Sequence, residues 1–121
     1  MNDRIERLET ALNALTARGK MLDALAAHYA DDCVFEEGDG ARRLGRAAQY
    51  EHLAGFFATL KGLNAATLHA QSTGADVSLS EWTFDMTAAD GTPIVWNEVL
   101  VRRWKDDRVV SERFYQATAP R

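Results

Sequence analysis

Two adjacent carboxylates close the stretch His28-Tyr-Ala-Asp-Asp-Cys-Val-Phe-Glu-Glu-Gly38. It reads as the end of an amphipathic helix, an acidic turn and a short strand over 33–37. Neighbouring side chains on a strand point to opposite faces. Glu37 is read as the inward one and Glu36 as its outward neighbour, and a one-residue slip would exchange them. An inward carboxylate is expensive to bury without a use. With its pKa raised by burial, Glu37 could serve as a general base. The bland alternative is a solvated strand end, or a carboxylate salt-bridged to the Arg42–Arg43 loop.

Further candidates lie downstream. Glu98 shares a strand face with Trp96 and Leu100, and Arg102 follows two positions past Leu100. Glu112 shares a face with Phe114. A buried Glu–Arg pair is as reasonable as catalysis. In the functional version Arg102 holds a substrate carboxylate or steadies a developing oxyanion. His69 and His52 could move protons near neutral pH, although a lone histidine is more often a half-buried spacer. His28 could cap a helix end.

The elements that must position these groups are legible from periodicity. Ile5, Leu8, Leu12 and Leu15 recur at helical spacing, with Asp3 and Glu6 as a capping box. After Gly19, residues Met21, Leu22, Leu25 and Tyr29 mark a short second helix ending near Ala30. The Gly38–Gly45 loop is flexible by composition. A third helix runs from Arg46 to Lys61, with Tyr50, Leu53, Phe57 and Leu60 on one stripe and Gly62 as its stop. Turn signals at 73–76, 89–93 and 105–107 then separate four antiparallel strands over 65–72, 77–88, 94–104 and 108–117. The order predicts an α+β fold with helices on one face of a curved sheet.

Parity sorts the last strands into two faces. The even positions carry Trp82, Phe84, Met86, Trp96, Glu98, Arg102, Glu112, Phe114 and Gln116, a mixture of large apolar groups and a few polar ones that suits a ligand pocket. Tyr50 is mostly core, with a hydroxyl that could reach the same cavity. The odd positions Val77, Leu79, Val95, Val99, Val101 and Val109 would expose an apolar patch that a soluble monomer rarely tolerates. Sheet-to-sheet homodimerisation resolves this. A bulge near Ser80–Glu81 is the alternative.

Composition narrows the classes. With 121 residues, 46% hydrophobic and 26% charged, residues 1–121 form one ordinary domain. A net charge of −4 and no basic run argue against nucleic acid. No apolar run reaches membrane-spanning length, and the charged opening is unlike a signal peptide. One cysteine and three scattered histidines offer neither an intrachain disulfide nor a metal-ligand spacing, and favour a cytoplasmic address without metal or other cofactor.

Four segments carry a family resemblance: Tyr29-Ala-Asp-Asp-Cys-Val-Phe-Glu-Glu, Gly45-Arg-Ala-Ala, Asp76-Val-Ser-Leu-Ser-Glu-Trp82 and Arg108-Val-Val-Ser-Glu-Arg-Phe-Tyr115. In order and spacing the chain resembles the nuclear transport factor two-like superfamily, and within it the SnoaL-like group. The resemblance implies an α+β cone: a curved, mostly antiparallel sheet around three helices from the N-terminal half, enclosing a pocket and commonly dimeric. It places Glu37 where the steroid isomerases hold their proton-shuttling aspartate. Their first-helix tyrosine has no counterpart, the nearby positions being Leu12 and Asn13, and their second acid falls near Leu100. The acid that often ends the last strand of SnoaL-like cyclases is Gln116 here. Fold alone does not settle function. The expectation is a small cofactor-independent enzyme that moves protons on an apolar cyclic or carbonyl-bearing metabolite, as isomerase, dehydratase or cyclase. Glu37 would be the base, His69 or Glu98 the relay, and Arg102 or Trp96 the group that orients an oxygen; His52, Tyr50 and the even-face residues would line the site. The alternatives are a non-catalytic dimer binding a small apolar ligand, and a scaffold whose sheet serves a protein partner.

Overall fold

A computed structural model describes residues 3–117. Helix α1 (Asp3–Ala17) and helix α2 (Met21–His28) lead into strand β1 (Tyr29–Glu36). A short β2 (Arg42–Leu44), helix α3 (Arg46–Ala58) and strands β3 (Leu60–Thr73), β4 (Val77–Ala88), β5 (Pro93–Lys105) and β6 (Arg108–Gln116) follow. The six strands form one open sheet in the order β2-β1-β6-β5-β4-β3, antiparallel throughout except for the β1–β6 pair. The helices pack on one face of this sheet, giving the expected α+β cone. No helix among the described residues is long and apolar enough to cross a membrane.

The core follows the sheet's inner face. Along β5 the inward positions are Trp96, Glu98, Leu100, Arg102 and Trp104. Leu100 joins an apolar cluster with Trp82, Phe84 and Met86, while Trp104 joins another with Ile5, Leu12, Leu25, Phe35 and Val109. Phe114 packs against both clusters. Two buried serines satisfy the indoles: Trp104 donates to Ser78 at 2.8 Å and Trp82 to Ser80 at 2.9 Å. A buried tryptophan N–H needs such an acceptor.

Several boundaries differ from the sequence reading. Strand β1 begins at Tyr29, so α2 ends at His28, and the strand stops one residue before Glu37. The expected flexible loop contains β2, whose Arg42, Arg43 and Leu44 pair with Glu36, Phe35 and Val34. Gly62 does not stop α3; it lies within β3, which is longer than expected. The bulge considered near Ser80–Glu81 is absent, because β4 pairs with β5 without interruption from Val77 to Thr87. The register shifts fall instead on β3 and at the Arg103/Trp104 pairings of β5 with β6. The latter reverses one assignment: Val109 faces Trp104 in the core and is fully buried, not part of the outer patch. Between β5 and β6, Asp106 and Asp107 both take positive φ, the conformation of a two-residue hairpin turn that aspartate tolerates.

Candidate functional site

Between the helices and the inner sheet face lies a cavity of about 90 Å³, walled chiefly by Leu25, Leu53, Phe57, Phe84, Met86, Trp96, Leu100 and Phe114. A wider hollow of about 380 Å³ adjoins it and shares Gln49, Leu53, Trp96, Glu98 and Phe114 with it. Glu37, Arg43, His52, Phe56 and Gln116 complete that outer hollow. Phe56 stacks on Trp96 with ring centroids 4.8 Å apart. The lining is mostly apolar with a few placed polar groups, as ligand sites generally are.

Glu98 is the carboxyl common to both spaces. It is 9% exposed, and its Oε2 accepts a 3.0 Å hydrogen bond from Gln116 Nε2. Among the described residues no hydrogen bond is made by its Oε1. Burial pushes its pKa up to about 7; the Gln116 bond pulls it down, Glu112 and Glu37 push it further up, and Arg102 offsets part of this. A carboxyl poised there can both give and take a proton at neutral pH.

At the cavity's other end sits a closed polar cluster. Arg102, 1% exposed, donates from Nε to Glu112 at 2.6 Å and from Nη1 to Glu9 at 3.0 Å and Asn13 at 2.7 Å. The Tyr29 hydroxyl donates to the same Glu112 oxygen at 2.5 Å. Burial drives the Tyr29 phenol well above its ordinary range, so it stays protonated as that donor. The carboxylates and the phenol raise Arg102 against its desolvation and keep it charged. Arg102 and Glu112 thus form a structural network, in which two of the three guanidinium nitrogens of Arg102 are committed to partners within the protein. His28, beside this network, has its pKa lowered by burial and then by Arg102 and Arg108. It ends α2 without the positive charge that helix-end stabilisation needs.

The remaining candidates separate. Glu37 lines the outer hollow but is ion-paired to Arg43, which also donates to Gln49 at 2.7 Å. Glu36 faces the opposite side and pairs with Arg42 and Arg113, as the outward member of the two. His52 lines the hollow from α3. His69 does not reach it. It is the extra residue of a β3 bulge between Leu68 and Ala70, which turns its ring outward to Thr83 Oγ1 at 2.8 Å. Tyr50 is 46% exposed and belongs to a separate surface hollow with Asp31 and Arg46. The inward face of α3 is Gln49, Leu53, Phe56 and Phe57, so Leu53 and Phe57 of the predicted stripe face the cavity and Tyr50 does not. Trp82 is completely buried behind the cavity, stacked on Phe84 at 5.3 Å, and does not line it. Phe84, Met86, Trp96, Glu98, Arg102, Glu112 and Phe114 line the cavity, and Gln116 the outer hollow.

The sequence reading missed Glu9, Asn13, Tyr29 and Gln49 as partners of these groups. A signal existed for two of them, Glu9 and Asn13. Glu9, Asn13 and Thr16 fall at helical spacing from Ile5 and Leu12, and all five are buried. Polar residues on an apolar stripe announce an internal partner. Tyr29 gave no such cue, since it fitted the helical apolar spacing.

An open α+β cone with a cavity between helices and sheet is the architecture of the nuclear transport factor two-like proteins. Within them the chain belongs to the SnoaL-like domain family, whose sequence profile matches residues 6–112. No curated protein matches significantly. Among solved structures, a candidate SnoaL-like polyketide cyclase from Mesorhizobium loti is similar with a TM-score of 0.82 and 20% identity, over 95% of this chain and 99% of that one. AclR, a candidate hydroxylase from Streptomyces galilaeus, is similar with a TM-score of 0.77 and 17% identity, over 98% and 91%. TerC, crystallised with polyporic acid, gives 0.76 and 18%, over 97% and 93%. At these identities the likeness is one of fold.

Proposed function

We propose that the protein is a small enzyme that moves a proton on an apolar cyclic or carbonyl-bearing metabolite, with Glu98 as the acid–base group. The observation that carries this is a buried carboxyl facing both spaces, held by one amide, with its second oxygen open. As carboxylate, Glu98 Oε1 accepts a proton from carbon; as acid, it returns the proton to carbon or to an oxygen. Gln116 fixes the carboxyl plane through Oε2, and the Trp96, Phe114 and Phe84 rings hold the ligand's apolar body. Glu37 guards the outer hollow rather than acting as base, since its carboxylate is ion-paired to Arg43. A SnoaL-like membership supports small-molecule chemistry of this type. The unpaired outer sheet face, where Leu79, Val95 and Tyr115 are 40%, 54% and 45% exposed, supports a homodimer through that face. A lone buried thiol, Cys33, raised to about 12 by burial and inert, fits a reducing cytoplasmic compartment.

The test is exchange of α-protons for deuterium in a panel of cyclic ketones, followed by proton NMR. Glu98→Gln is expected to slow exchange by about 10²–10⁴-fold. Equal exchange by both proteins overturns the assignment. The non-catalytic alternative draws on Arg102 and Glu37 both being satisfied within the protein; it predicts saturable ligand binding with no exchange.

A further inference from the structure

The charged groups around the two spaces do not balance. In the cavity Arg102 faces two carboxylates, Glu112 and Glu9, and its Nε and Nη1 are both engaged. At the outer hollow the Arg43 guanidinium is bound by Glu37 and Gln49. Setting these partners aside leaves Glu98, more than nine-tenths buried, with an amide for a partner and an open oxygen. The groups facing it are Tyr29 on β1, Glu37 beyond β1, Glu112 and Gln116 on β6, Arg102 on β5, Arg43 on β2 and His52 on α3, and it borders a further hollow with His69 on β3, Glu81 on β4 and Tyr115 on β6. An anion brought here meets a surplus of negative charge in a desolvated site, where Coulomb interactions are strong. A cation meets the reverse. The rings of Trp96, Phe56 and Phe114 line the same hollow, and aromatic faces attract cations through their quadrupoles.

We infer that the ligand of this site carries a positively charged nitrogen, an ammonium or iminium group on an apolar body, seated against Glu98 and the Trp96, Phe56 and Phe114 rings. The inference rests on the cavity being the ligand site and is independent of whether the ligand reacts.

An isosteric series tests it: cyclohexylamine, cyclohexanol and cyclohexanecarboxylate, titrated calorimetrically against the intact protein. The amine is expected to bind about tenfold or more tighter than the alcohol, and the carboxylate more weakly than either. Binding of the cation ionises Glu98, so protons are released. With a free-protein value of about 7, release is expected to be largest below that pH and to fade as the pH rises through it. Buffers of different ionisation enthalpy count these protons, in a His52→Asn background that removes the imidazole's own contribution. Glu98→Gln is expected to bring the amine's affinity down to that of the alcohol.

Equal affinity for amine and alcohol, tighter binding of the carboxylate, absence of saturable amine binding, or amine binding without proton release each overturns the inference. The proton count needs no change at Glu98, so a misfolded variant does not rescue a failed inference. Ketone exchange without amine binding removes the charge inference alone. Amine binding with proton release, but without ketone exchange, removes the proton-transfer reading alone.

Discussion

Glu98→Gln should make the protein more stable, and the gain should depend on pH in a stated direction. Moving a carboxyl from an ordinary 4.5 to about 7 at about 1.4 kcal/mol per pH unit amounts to about 3 kcal/mol of preference for the neutral form. The solvent that still reaches Glu98 lowers this to about 2 kcal/mol. Because the folded protein holds the proton more tightly than the unfolded chain, the group adds no penalty below pH 4.5. Stability then falls as pH rises through the interval between 4.5 and about 7 and levels off above it. Glutamine stays neutral throughout, and its amide oxygen can accept the Gln116 hydrogen bond. Urea denaturation of both proteins at pH 5, 6, 7 and 8 should therefore show a variant advantage of about 0.5 kcal/mol at pH 5 that grows to about 2 kcal/mol at pH 8. At a urea slope of about 1.5 kcal/mol/M that is a midpoint shift of about 1.3 M. Taking the difference between the proteins cancels the exposed carboxylates, whose effects run the other way. A difference that stays flat from pH 5 to pH 8 would falsify the claim that burial governs Glu98.

Other expectations follow from the same geometry. Arg102→Met should cost about 3–5 kcal/mol, because it strands Glu9 and Glu112 in the interior, and adding Glu9→Gln and Glu112→Gln should recover most of the loss in a urea titration. A loss under about 1 kcal/mol would show that the cluster is solvated. Val95→Glu with Leu79→Glu, both on the exposed sheet face, should shift the species seen by light scattering from dimer to monomer without unfolding it. A wild-type protein that is already monomeric at micromolar concentration removes the dimer.

What the sequence disclosed depends on where the ladder is regular. Strands β4 and β5 pair without interruption through Val77–Thr87, so alternation alone put Phe84, Met86, Trp96, Glu98 and Arg102 on one face. Parity failed at the bulges, which have no composition signature in this chain. One turns His69 out of the cavity, and the other turns Val109 into the core. On α3 the apolar stripe held at Leu53 and Phe57 and failed at Tyr50. Tyr50 looks apolar enough for the inner face, while the residue that is buried there, Gln49, is polar and is kept by Arg43. Glu37 was placed toward the hollow correctly, yet its neutralisation by Arg43 depends on β2, three residues inside what composition presents as a loop. The Arg102–Glu9 contact spans 93 positions and three-dimensional packing alone creates it.

Arg102 and Glu98 lie on one strand, with only Leu100 between them on the inner face, and they represent opposite solutions to a buried charge. Arg102 binds Glu9 and Asn13 on α1 and Glu112 on β6, and Tyr29 at the start of β1 joins through Glu112. Three separate elements are thereby tied to β5 at one point, and the Glu9 and Asn13 contacts are lost if α1 lifts from the sheet. Such a network holds the cavity's walls in register and offers little to a ligand. Glu98 has a single amide partner and an open oxygen at the junction of the two spaces. Burial penalises its charge by more than the Gln116 hydrogen bond and Arg102 relieve. A group the fold would hold more cheaply as glutamine is best explained by what it does to a ligand. Its neighbour's closed network supplies the rigid backbone on which a proton can be moved with defined geometry.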